Sequence, residues 1–392
     1  MCLCLAAALV SALAQADTAG AATSGDSDAA TTEGGGRPDR TAVGFVTGHG
    51  EPALGGQLSG VAEALRGTRT VAEVRLSEGA ASLGGIDVVV VAGEPDIPDA
   101  ELYVLDQFLM RGGRAAFLLD AASIPGASTQ ANLSESNIFA FLSTYGITVN
   151  PDLVLDNACA GGAAWGSINT SSPYPYWPVV RGPGISGAHP AVSGLTSVPM
   201  AWTSSITVRQ AGSGIVGTSV LLRSSPDSWT VSAFADLDPG LGFEPPAEFD
   251  DVHRVAGAEG FPLAVAVDGT FRSAFAGQQV IVQRGREVEF TEPVGMVETS
   301  APTRVVVFAG SMMFRDDLAA QLPGSTELLA SVVDWLASAD EELTGAGGSA
   351  PARAWTPRRL AFVVLALAVL AAAVAAVVGV APSRRKRPSF RT

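Results

Sequence analysis

From Ala42 onward the chain alternates short apolar runs with segments whose apolar residues recur at helical spacing. "AVGFV" (42–46) reads as a strand, and Leu54, Leu58, Val61, Ala62 and Leu65 follow at three- and four-residue intervals, the stripe of an amphipathic helix. "TVAEVRL" (70–76) alternates as a strand does, whereas "IDVVVVAG" (86–93) is an unbroken apolar run, the mark of a strand covered on both faces. A helix is predicted from Glu101 to Met110, stopped by Gly112 and Gly113, then a strand at "RAAFLLD" (114–120) and a helix from Asn137 to Tyr145 ended by Gly146. This β-α-β-β-α-β-α order predicts an α/β domain over residues 41–150, a Rossmann- or flavodoxin-like, mostly parallel sheet with helices on both faces.

After residue 150 the rhythm changes. Pro, Gly, Ser and Thr punctuate short alternating runs such as "SITVRQ", "GTSVLLRS", "WTVSAFA", "LAVAVDG" and "QVIVQRG", which predicts a β-rich insertion or second lobe over 151–300. The α/β pattern returns over 301–338, with a buried strand at "RVVVFAGSMMF" and a helix from about Ser325, read as its N-cap, to Trp335 and Leu336.

Both ends are apolar. Leu360 to Ala381 contains no charge over 22 residues, about 33 Å as a helix and enough to cross a hydrocarbon core. The spacing predicts a C-terminal transmembrane helix in contact with membrane lipid. Five basic residues follow it (Arg384, Arg385, Lys386, Arg387 and Arg391) and three precede it (Arg353, Arg358 and Arg359). That bias predicts a cytoplasmic tail over 382–392 and an extracytoplasmic body held at the cell membrane. Residues 1–16 end in Ala14-Gln15-Ala16 and read as a cleaved signal or a truncated membrane segment. Residues 17–40 and 339–359 read as linkers.

Charge and composition narrow the function classes. Residues 1–352 carry all 39 acidic and 16 basic residues, a net of −23, which excludes the basic footprint of a nucleic-acid binder. The one lysine, Lys386, lies in the tail. No P-loop is therefore present, and no lysine of the body can form a Schiff base. Three cysteines, two of them in the leader, exclude a disulfide framework and a Cys-rich zinc site. No cofactor or metal is expected. H-E-x-x-H and G-x-S-x-G are both absent, so neither a zincin nor a nucleophile elbow is indicated.

"VGFVTGHGEP", "LDQFLMRGGRAAFLLD", "FLSTYGITVNPDLVLD", "EGFPLAVAVDGTFRSAFAG" and "RVVVFAGSMMF…STELLASVVDWLA" occur in this order over residues 41–340. In these segments the chain resembles the Gldg family, gliding-motility-associated auxiliary components of ABC-2-type transport systems. The resemblance implies a membrane-anchored extracytoplasmic subunit whose partners, an ABC-2-type permease and a separate ATPase subunit, are other chains. It also implies a fold related to a domain of ciliary intraflagellar transport proteins, where the role is assembly rather than catalysis.

Two stretches are candidate ligand- or partner-binding sites. His49, Gly50 and Glu51 follow the first strand, at the crevice where doubly wound sheets bind ligands. The plainer alternative is that His49 bonds a neighbouring loop and Glu51 complements a helix N-terminus. Tyr174, Tyr176, Trp177 and Arg181 combine aromatics with arginine, as recognition surfaces do, or else pack between lobes. Cys159, His189 and His253 read as loop residues, and the acidic stretch 236–251 as a solvated loop. The expected function is a non-catalytic binding or coupling subunit of the transport system. Its alternatives are a surface hydrolase acting on glycan or peptide, and a purely structural scaffold.

Overall fold

The computed structural model describes residues 40–338 apart from 210–214, 246, 249, 251–252, 279, 285–286 and 292–294. Its centre is a seven-stranded sheet of β1 (Ala42–Val46), β2 (Thr70–Val74), β3 (Val88–Gly93), β4 (Arg114–Leu119), β5 (Ile215–Arg223), β6 (Pro262–Gly269) and β7 (Thr303–Phe308), in the order β5-β6-β7-β4-β3-β1-β2. The five strands from β7 to β2 are mutually parallel, with Val306 opposite Ala116, Val90 opposite Ala116 from the other side, and Gly44 opposite Val89. β6 runs antiparallel to both β7 and β5.

The strands form here because their apolar runs are covered on both sides. Every residue of β3 is buried, and alternate side chains feed two separate cores. Val88, Val90 and Ala92 pack with α1 (Ser59–Arg66) and α4 (Ser325–Ala337) on one face. Val89 and Val91 pack with α2 (Asp99–Met110) and α3 (Ile138–Thr144) on the other. The chain leaves β1 for α1 on the first face and leaves β3 for α2 on the second. Neighbouring strands β1 and β3 thus flank the point where the winding reverses.

The expected architecture, a mostly parallel Rossmann- or flavodoxin-like sheet beside a β-rich lobe and with a C-terminal transmembrane helix, is corrected on two counts. The fold is mixed α/β with a large β-rich part, and its sheet is mixed. "GTSVLLRS" and "LAVAVDG", read as lobe strands, are β5 and β6 and extend the central sheet. Their apolar alternation encodes burial, and the antiparallel pairing of β6 with β7 and of β5 with β6 supplies the burying neighbours. No helix among the described residues is long and apolar enough to cross a membrane. No transmembrane helix therefore belongs to the fold as described. The apolar run at 360–381, the basic tail, the leader and both linkers lie outside the described residues.

The remaining β-rich part is built of small antiparallel pairs, including Asp152–Asp156 with Ser228–Ser232 and Pro173–Arg181 with Ser197–Pro199. Its own core gathers Trp165, Tyr174, Tyr176, Trp177, Trp202 and Trp229. Buried aspartates stitch loops to this framework. Asp152 accepts hydrogen bonds from Ser205 N (2.7 Å), Ser205 Oγ (2.6 Å) and Arg254 (2.6 Å). Asp106 of α2 accepts from Tyr145, Ser273, Gln107 and the Ala274 amide at 2.7–2.9 Å. At α1, the N-terminus is served by Asp316, which accepts from the amides of Ser59 and Gly60 at 3.0 and 2.9 Å. Ser325 is not the N-cap of α4: Gly324 holds that position with φ 121°, and the buried Ser325 hydroxyl has no hydrogen-bond partner among the described residues.

Candidate functional site

At the C-terminal end of β1 the chain turns through Gly48, His49 and Gly50. Gly50 adopts φ +94°, a conformation that a side chain would strain, and so lets Glu51 fold back on the histidine. Glu51 Oε2 accepts the His49 amide at 2.7 Å, and Glu51 Oε1 lies 2.9 Å from His49 Nδ1. The other ring nitrogen, Nε2, lies 2.9 Å from Glu101 Oε2 in the first turn of α2. Since β1 and β3 wind to opposite faces, this Glu51–His49–Glu101 clamp ties the two halves of the sheet together across their reversal point. The side chains are 2, 8 and 17% exposed respectively, so the ion pairs are shielded from bulk water.

Burial, the largest single influence on the His49 pKa, opposes protonation. The hydrogen bonds and negative charges of Glu51 and Glu101 together outweigh it and raise the pKa above the usual histidine value. Both ring nitrogens then act as donors to carboxylate oxygens, and neither is left as a free base. Glu51 serves its own loop and does not complement a helix N-terminus.

The second candidate stretch divides. Tyr174, Tyr176 and Trp177 are buried at 1, 3 and 0% exposure, which places them in the core, in keeping with the packing alternative. Trp177 meets Tyr174 edge-on at 5.1 Å and Trp202 at 5.3 Å. The Tyr174 hydroxyl donates to Leu237 O at 2.6 Å, beside a small cavity of about 250 Å³. Arg181, at the end of the same strand, is exposed and borders a different cavity. His49, Gly50 and Glu51 form one turn, and Tyr174, Tyr176 and Trp177 lie in the separate core of the β-rich part.

The three histidines have separate surroundings. His189 packs tilted against Trp335, ring centroids 4.7 Å apart; burial first, then the charge of Arg304, lowers its pKa to about 4 and keeps the ring neutral. His253 faces Asp250 at 3.0 Å on the surface. Cys159 is a free, half-buried thiol whose pKa is pushed up by burial and by the charge of Asp156, the reverse of what activates a nucleophile. Among the described residues no group of three or more His, Cys, Asp or Glu side chains is arranged to hold a metal ion.

Two residues at this edge of the sheet escape sequence reasoning. Glu101 lies 52 positions from His49, and as a first-turn helix glutamate it carries no mark of its partner. Asp120 follows β4 and binds the amide of Ser311 at 2.5 Å and its hydroxyl. Full burial raises its pKa to about 6 against the lowering effect of those bonds. An aspartate closing the buried run "RAAFLLD" was the available signal.

A family model described as "ABC-type uncharacterized transport system" matches residues 40–335. Among solved structures, the mmIFT52 N-terminal domain is 14% identical, with 76% of this chain and 98% of that one covered and a TM-score of 0.45. A putative ThuA-like protein from Bacteroides uniformis is also 14% identical, with 78% and 94% covered and a TM-score of 0.40. No curated protein matches the chain.

Proposed function

The chain belongs to the auxiliary family of ABC-type uncharacterized transport systems, and from that membership we propose that it is a non-catalytic, Gldg-type subunit that binds a ligand or partner and couples it to an ABC-2-type permease. In this reading ATP hydrolysis is the work of a separate chain, in keeping with a body that contains no lysine and hence no P-loop. The body works at the membrane on its extracytoplasmic side.

The observation that carries the non-catalytic part is the saturation of His49. A general base needs a nitrogen free to take a proton from substrate or water, whereas both nitrogens here are engaged by Glu51 and Glu101 at 2.9 Å. The clamp acts on loop position and on the joint between β1 and α2.

His49→Gln retains one hydrogen bond and loses acid–base capacity. At matched levels of folded protein, transport by this variant is expected to stay within about tenfold of wild type, the scale of hydrogen-bond changes of roughly 0.5–1.5 kcal/mol. Glu101→Gln, which keeps an oxygen acceptor on the surface side, should behave likewise. Loss of about 100- to 10,000-fold in both variants, with folding and assembly intact, is the signature of a general acid or base and would favour the surface hydrolase.

A further inference from the structure

A cavity of about 480 Å³ opens where the strand Pro173–Arg181 ends, between the turn at Gly182–Gly184, the turn following β5 and residues Ala258 and Glu259. This volume falls within the roughly 300–1,000 Å³ typical of small-molecule sites. Val179, Val180, Pro183 and Pro226 contribute apolar wall. Arg181 and Arg223 both face it, in a body otherwise dominated by acidic residues.

The two arginines differ. Arg223 has a loose partner in Glu259, at 3.5 Å, whose own side chain is 82% exposed, and donates to Gly260 O at 3.5 Å. The guanidinium of Arg181 is exposed and has no ion pair or hydrogen bond among the described residues. Arg181, Arg223 and Glu259 sum to one positive charge at the rim, which the buried Asp156 carboxylate behind the wall balances, and the donor fork of Arg181 is left unfilled.

The walls are fixed before any ligand arrives. Asp156, 2% exposed, accepts from Ala158 N at 2.8 Å, Ser225 N at 2.7 Å and Ser225 Oγ at 2.6 Å, which locks two sides of the cavity to each other. A third side is held by close backbone approach: a Cβ on Gly184 would stand 2.8 Å from Arg223 O. Preformed walls lower the ordering cost of binding.

We propose that this cavity binds a small organic monocarboxylate with an apolar body, its carboxylate held by Arg181 and Arg223 and its body against Val179, Val180, Pro183 and Pro226. A guanidinium fork matches a carboxylate in two parallel hydrogen bonds. With Glu259 at the rim and Asp156 behind the wall, a second negative charge on the ligand would stand uncompensated, which favours a monoanion over a dianion such as phosphate. The site gives the ligand-binding half of the proposed function a location, and it rests on that reading for its use in transport.

The test is calorimetric titration of the full chain with N-acetyl-leucine as probe, against N-acetyl-leucinamide and inorganic phosphate. N-acetyl-leucine should bind saturably and at least tenfold more tightly than either control. Arg181→Gln should weaken it at least tenfold with no change in melting temperature, and Arg223→Gln should weaken it as well. Absence of saturable binding, equal binding of the amide, preference for phosphate, or unchanged affinity in both variants would each overturn the site. Carboxylate binding by a chain that associates with no transport component would keep the site and remove the transport role. Association without carboxylate binding would do the reverse.

Discussion

Asp106→Ala should lower the unfolding free energy by about 3–5 kcal/mol, read as a shift of the urea midpoint at unchanged slope. Asp106 is fully buried on α2 and accepts the Tyr145 hydroxyl at 2.7 Å and the Ser273 hydroxyl and Ala274 amide at 2.8 Å each, besides the Gln107 side chain. Alanine would strand these donors in an apolar setting, at about 1–3 kcal/mol for each that finds no substitute. Relief of a buried negative charge offsets part of the total. The network also joins elements far apart in sequence, since Asp106 and Ser273 are separated by 167 positions. Burial, followed by the charge and hydrogen bond of Asp106, raises the Tyr145 pKa well above its usual value, so the hydroxyl remains a donor. A loss below about 1 kcal/mol would mean that water or rearrangement satisfies these groups, and that Asp106 is not the joint described.

Trp177→Ala should cost a similar amount, about 3–5 kcal/mol, as expected for removing a fully buried aromatic side chain. Its ring is 0% exposed and sits edge-on to both Tyr174 and Trp202. Trp202 is held at φ 49°, unusual for a bulky residue, and the packing around it must sustain that conformation. The variant therefore distinguishes two roles for the aromatic stretch. A core residue costs stability when removed; a recognition residue costs affinity and leaves the urea midpoint in place. Arg181→Gln, four positions along the same strand, should change stability by less than about 0.5 kcal/mol.

These residues also mark what the sequence made legible. β1, β3, β4, β7 and the helices α2 and α4 were readable because continuous apolar runs and a 3.6-residue period report burial directly. The same patterns do not report partners. β6 has an inner run of five buried residues, yet nothing in "PLAVAVDG" says that it pairs with β7 rather than with a strand of a separate lobe. That choice is made by contacts between residues about forty positions apart. In the clamp, His49 and Glu51 were legible as a pair because Gly50 separates them by one position and implies a tight turn. Glu101 was not, because the reversal of winding between β1 and β3 brings α2 to the histidine. Tyr174, Tyr176 and Trp177 carry a composition shared by interfaces and cores, and only their neighbours decide between the two.

In the function proposed above, this chain serves a transport complex as a binding or coupling subunit and performs no chemistry of its own. Quantitative affinity purification of the full chain from cells at native expression, followed by identification and counting of the recovered proteins, tests this directly. A permease and an ATPase subunit of one ABC-type system should be recovered in near-stoichiometric amounts, and Arg181→Gln should leave that recovery unchanged. Recovery of the chain with neither subunit enriched, under conditions that hold other ABC complexes together, would contradict it.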